Sequence, residues 1–187
     1  MPDLLRHRPL DGFAMPTTGA VTLAAAPPAA RFILRGRHEA IVAAAAPLGF
    51  PLPLRACRSA TAGEVAALWL GPDEWLILAP EAEGPALRAR LEAALAGLPH
   101  ALVDVGHRQG AILLAGPAAT ATLNAGCPLD FDPDAFPIGM CTRTVLGKTE
   151  IVLWRTGAEA FRIEAGRSFL PYVWRFLEEA SREFGAG

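Results

Sequence analysis

Along this chain, short apolar runs alternate with Ala-rich segments of helical character. Strand-like runs lie at 31–35 (Arg31-Phe32-Ile33-Leu34-Arg35), 65–70, 75–79, 102–105 and 110–115. Helix-like stretches lie at 37–46, 85–96, 116–125 and 168–184. Pro85 suits a first helical turn and Gly97 a helix stop. Ser168 is a candidate N-cap for the last helix, whose Tyr172, Phe176, Leu177 and Ala180 form one apolar stripe. Gly71-Pro72-Asp73-Glu74 reads as the turn of a hairpin.

The pattern runs twice. Each pass reads strand, helix, hairpin, helix. Ile33-Leu34-Arg35-Gly36 matches Leu113-Leu114-Ala115-Gly116, Leu48 matches Leu129, Cys57 matches Cys141, and Trp75-Leu76-Ile77 matches Phe161-Arg162-Ile163. In the second pass the hairpin begins at either 143–146 or 150–155 and closes at 160–164. The expected class is α+β: two pseudo-repeated βαββαβ-like, ferredoxin-like units, with antiparallel sheets and helices on one face. The first repeat spans 31–105 and the second 106–187, together forming one compact domain. Residues 1–30 carry five prolines (Pro2, Pro9, Pro16, Pro27, Pro28) and read as an extended arm with one short strand at Val21-Thr22-Leu23. The arm's apolar residues, Leu4, Leu5, Leu10, Phe13 and Met15, must lie on its own domain or on a partner.

Composition narrows the function. The chain has 187 residues, 52% hydrophobic and 19% charged, with a formal net charge of −2. A core can form without staples, and no basic excess exists to hold a phosphate backbone, so nucleic acid is not an expected partner. No apolar run reaches a membrane span, because the best candidate, 20–30, is broken by Pro27 and Pro28. Arg6, His7 and Arg8 are not followed by an apolar h-region, so no signal peptide is read and the cytoplasm is the expected compartment. Cys57, Cys127 and Cys141 show no C-x-x-C spacing, and His7, His38, His100 and His107 show no ligand spacing, so no metal is expected. Dinucleotide, P-loop and nucleophile-elbow motifs do not occur. Lys148 is the sole lysine, leaving Arg as the cation for polar contacts.

Asp104, His107 and Arg108 sit within six residues at a strand–loop junction. That grouping fits a weak acid/base or folate site, and it fits better a polar turn in which Asp104 pairs with a backbone N–H or with the Arg. Cys127, at a helix end, reads as a buried core thiol. The stretch Leu68 to Leu78 is apolar on both strand faces, so helices are expected over one face and a partner over the other. Trp69, Trp75, Arg167, Phe169, Tyr172 and Trp174 are the partner-interface candidates.

Several motifs carry a family resemblance. Leu68-Trp69-Leu70-Gly71-Pro72-Asp73-Glu74-Trp75-Leu76, Gly126-Cys127-Pro128-Leu129-Asp130, Phe136-Pro137-Ile138-Gly139, Arg143-Thr144 and Arg167-Ser168-Phe169 resemble the gamma subunits of heterotetrameric sarcosine oxidases. Arg8-Pro9-Leu10 and Leu34-Arg35-Gly36 also fit, so the resemblance spans nearly the whole chain. Val103-Asp104-Val105-Gly106-His107, followed by Leu114-Ala115-Gly116-Pro117-Ala118, is more distantly similar to the aminomethyltransferases and related folate-binding proteins. Gly106 stands where that family has Ser, and Lys148-Thr149-Glu150 where it has an acidic pair. The resemblance implies an aminomethyltransferase-like fold in a small non-catalytic subunit. Its alpha, beta and delta partners, alpha most directly, would carry FAD, FMN, NAD, zinc and tetrahydrofolate. The assembly would oxidatively demethylate sarcosine to glycine, yielding hydrogen peroxide and either formaldehyde or methylene-tetrahydrofolate. The alternative is a stand-alone tetrahydrofolate-binding protein or one-carbon transferase.

Overall fold

The computed structural model describes residues 8–13 and 20–184. Two five-stranded sheets carry the fold. The first runs, in spatial order, β3 (Ser59–Ala62), β4 (Val65–Gly71), β5 (Glu74–Pro80), β2 (Ala29–Gly36) and β6 (His100–Asp104). The second runs β1 (Thr22–Ala25), β7 (Gln109–Ala115), β10 (Ala160–Gly166), β9 (Thr149–Gly157) and β8 (Cys141–Leu146). Every strand pairing is antiparallel. The α-helices are α1 (His38–Leu48), α2 (Gly84–Leu95), α3 (Ala119–Asn124) and α4 (Leu170–Ser181).

The layering follows from the period-2 alternation of each strand. On the central strands, Ala67, Trp75, Ile77 and Ala79 pack with Ala40, Ala44, Leu48, Leu87, Leu91 and Leu95 of α1 and α2. Their neighbours Ala66, Leu68, Leu76 and Leu78 face the other way and pack with Cys141 and Val152 of the second sheet. The second sheet repeats the arrangement. Ile112, Leu114, Leu153, Phe161 and Ile163 pack against Leu123 of α3 and Leu170, Val173, Trp174 and Leu177 of α4. The order is therefore helix, sheet, sheet, helix. The apolar second face of the 68–78 hairpin is covered by the chain's own second sheet, not by a partner as its sequence suggested.

Other expectations need correction. The short strand read at 21–23 lies at Thr22–Ala25, where it pairs with Ala115 to Ile112, and Leu10, Val21 and Leu23 are buried in the chain's own second core. Leu4, Leu5 and Met15 lie outside the described residues. The two hairpin starts proposed for the second pass are both real, since β8, β9 and β10 form a three-stranded meander. β3 was not legible, being a short exposed edge strand of small residues. The helix expected over 116–125 shrinks to α3, because Gly116 stands at φ +120°, outside helical space. Helix α4 begins after Phe169, which occupies the N-cap position, so Ser168 does not cap it.

Candidate functional site

Asp104, His107 and Arg108 occupy the exposed turn between β6 and β7. Asp104 Oδ1 accepts from the Gly106 N–H at 2.8 Å, and Val105 O accepts from the Arg108 N–H at 3.0 Å. This is an Asx-type turn, the structural reading of the motif. Asp104 and His107 line one groove of about 360 Å³ with Arg88 and Phe32. His107 and Arg108 line a second, of about 690 Å³, with Arg167 and Phe169. Among the described residues no hydrogen bond joins these three side chains, so they share a turn without forming an acid/base relay.

The two buried thiols are poor nucleophiles. Burial pushes the Cys127 thiol up, with the Thr144 hydroxyl 3.8 Å away acting in the opposite direction. Burial pushes Cys141 up to about 12. Its thiol donates to Trp69 O at 3.6 Å. Among the described residues no group of three or more His, Cys, Asp or Glu side chains gathers as a metal cage. None of the described helices is long and apolar enough to cross a membrane.

The strongest electrostatic feature was not singled out from the sequence. Glu164 on β10 is 2% exposed and Arg31 on β2 is 4% exposed. Arg31 Nε donates to Glu164 Oε2 at 2.6 Å, and Arg162 Nε donates to Glu164 Oε1 at 2.7 Å. A signal existed: Arg31, Arg162 and Glu164 interrupt strands that are otherwise apolar, and a charge on a buried strand face needs a partner. Glu74 on the first sheet likewise pairs with Arg143 of β8 and lies 3.4 Å from Arg35. Arg155 is also buried; its guanidinium donates to Phe131 O, Phe136 O and Ala158 O, fixing the long loop before β8.

The six partner-interface candidates divide. Trp75 is fully buried in the first core, where its Nε1 donates to Pro53 O at 2.8 Å. Trp174 is buried in the second core, edge-on to Phe13 at 5.8 Å. Neither side chain is available to a partner: α1 and α2 cover Trp75, and Trp174, on α4, packs into the core that α4 forms with the second sheet. Trp69 is half-buried against the first core. Arg167, Phe169 and Tyr172 remain exposed, Phe169 at 50%. The Tyr172 hydroxyl accepts from the Lys148 N–H at 3.1 Å, linking α4 to the β8–β9 turn. Phe169 also lines a cleft of about 660 Å³ with Arg108, Arg143, Lys148 and Glu150.

The helix–sheet–sheet–helix fold places the chain in the aminomethyltransferase-like α+β class. A glycine cleavage system aminomethyltransferase T from Bartonella henselae superposes with a TM-score of 0.66 at 16% identity, over 86% of this chain and 46% of that one. That likeness is one of fold. The chain itself belongs to the sarcosine oxidase, gamma subunit family, whose model matches residues 36–183. A sarcosine oxidase subunit gamma from Arthrobacter sp. is 37% identical over 150 residues, covering 80% of this chain and 71% of the relative. One from Corynebacterium sp. (strain P-1) is 39% identical over 121 residues, covering 65% and 59%. The chain also resembles a chain of the heterotetrameric sarcosine oxidase from Corynebacterium sp. U-96, solved in complex with pyrrole 2-carboxylate. The TM-score is 0.90 at 33% identity, over 98% of both chains.

Proposed function

We propose that this chain is a non-catalytic assembly subunit of a heterotetrameric, cytoplasmic sarcosine oxidase. The observation that carries the reading is the superposition over 98% of both chains with a subunit of such an oxidase. An assembly role accords with the geometry: Asp104 is engaged in a turn, and burial pushes the Cys127 and Cys141 thiols up. FAD, FMN, NAD, zinc and tetrahydrofolate belong on the alpha, beta and delta partners, and alpha is the neighbour in direct contact. Arg167, Phe169 and Tyr172 form the contact surface, with exposed aromatics beside a guanidinium, as at interface hot spots. Pairing of β2 with β5 and of β7 with β10 supports descent of the two sheets from one repeated unit.

The test is co-expression of the four subunits with and without this chain. Without it, the complex is expected to lose sarcosine oxidation or to fall apart at lower temperature. Full activity and full thermal stability of the remaining three subunits would overturn the assignment. Arg167→Lys keeps the charge and loses the planar fork, and is expected to weaken co-purification.

A further inference from the structure

The buried charges between the sheets do not balance. Arg31 and the part-buried Arg162 share the single carboxylate of Glu164, so this ion-pair cluster holds one more guanidinium than carboxylate. Arg162 spends its Nε on Glu164, and its Nη2 is buried with no acceptor. The indole Nε1 of Trp154 is buried with no acceptor as well. These two residues face each other across the β9–β10 ladder, Trp154 opposite Arg162. Directly paired residues of antiparallel strands put their side chains on the same face, a few ångströms apart. Both line one groove of about 260 Å³, rimmed by Pro27, Pro28, Thr61 and Glu64.

Unpaired buried donors in a native protein call for an acceptor, and an excess buried guanidinium charge calls for an anion. We propose that this groove binds a small monocarboxylate, one oxygen accepting from Arg162 Nη2 and the other from Trp154 Nε1. Two N–H donors on directly paired residues of neighbouring strands can serve the two oxygens of one planar carboxylate. A single excess charge matches a monoanion. The groove is smaller than the about 300–1,000 Å³ of pockets that take drug-sized ligands, which favours a short aliphatic acid over a cofactor. The proline and alanine walls suit an alkyl group. The groove is lined by this chain's own side chains.

The experiment uses the full-length chain with 15N-labelled tryptophan, titrated with sodium acetate against sodium chloride and sodium phosphate at equal ionic strength. Trp154→Phe assigns the Trp154 indole resonance among the four. Acetate is expected to move that resonance saturably and leave the other three in place, and Arg162→Gln is expected to weaken the effect at least tenfold. A response no larger than that to chloride, meaning ordered water only, overturns the proposal. So does a response to phosphate equal to that to acetate, or an undiminished response in Arg162→Gln. A shift of the Trp154 resonance on Glu64→Gln alone, without added anion, also overturns it by assigning the acceptor to this chain's own carboxylate. Should Arg162→Gln fail to fold, Trp154→Phe must reduce the acetate-dependent rise in Tm; an undiminished rise overturns the assignment.

Discussion

Glu164 on the second sheet accepts from Arg31 Nε on the first at 2.6 Å, the two residues 133 positions apart in the chain and both side chains buried. This pair, with Arg162 on the same carboxylate, ties the two sheets beside an apolar cluster that both contribute to. Its Arg31 partner also donates to Ala29 O at 3.0 Å, which anchors the start of β2.

Removing the carboxylate strands two guanidinium groups in the interior. Glu164→Gln is therefore expected to destabilise the chain by about 3–5 kcal/mol, the cost of breaking a buried pair from one side. Urea denaturation reads this as a lower midpoint at an unchanged m-value. A loss under 1 kcal/mol would show that water reaches the pair.

Two aromatic residues separate core from surface. Trp75→Ala empties a fully buried site and orphans Pro53 O, so a loss of about 3–5 kcal/mol is expected. Phe169→Ala, half exposed, is expected to stay within about 0.5 kcal/mol of the parent in stability while reducing co-purification with partner subunits. Denaturation midpoints and pull-down yields read the two effects separately.

The thiol of Cys141 gives stability a dependence on alkaline pH. Its ordinary value is 9.0, and burial pushes it up to about 12 in the folded chain. The unfolded chain ionises first as pH rises, so the contribution is complete below about pH 9 and is lost between there and about pH 12. Cys127 is shifted in the same direction by burial. Cys141→Ala is expected to flatten the fall in unfolding free energy over that window. An unchanged slope would remove Cys141 as its source.

Gly116 is where the start of β1 docks on the end of β7. Its φ is +120°, and a Cβ there would lie 2.5 Å from Ala20 O. The Ala118 N–H donates to that same carbonyl at 3.0 Å. Gly116→Ala is expected to cost about 1–3 kcal/mol and to raise hydrogen exchange across Thr22 to Ala25 before the first sheet is affected. Unaltered exchange in β1 would refute this.

Much of the local structure was readable from pattern. The 65–79 hairpin, the strands at 31–35 and 110–115, and the amphipathic last helix were each announced by period and turn residues, and all are present. The polar-turn reading of Asp104 is matched by a 2.8 Å hydrogen bond from the Gly106 N–H, a contact that the sequence could only suggest. Trp75 and Trp174 were misjudged because an aromatic side chain in a strand or helix looks the same in sequence whether its cover comes from this chain or another.

Spacing and composition alone were enough for most of the strands and helices, the α+β class, the membership suggested by the motifs and the lack of a basic excess for nucleic acid. Those properties are local, set by spacing within a dozen residues or by sums over the chain. Tertiary structure alone decided that β1 completes the second sheet, that the two sheets cover each other's apolar faces, and that Arg31, Arg162 and Glu164 meet between them. Such pairings depend on which distant surfaces exclude water together, and burial is a property of the assembled layers that no single segment carries.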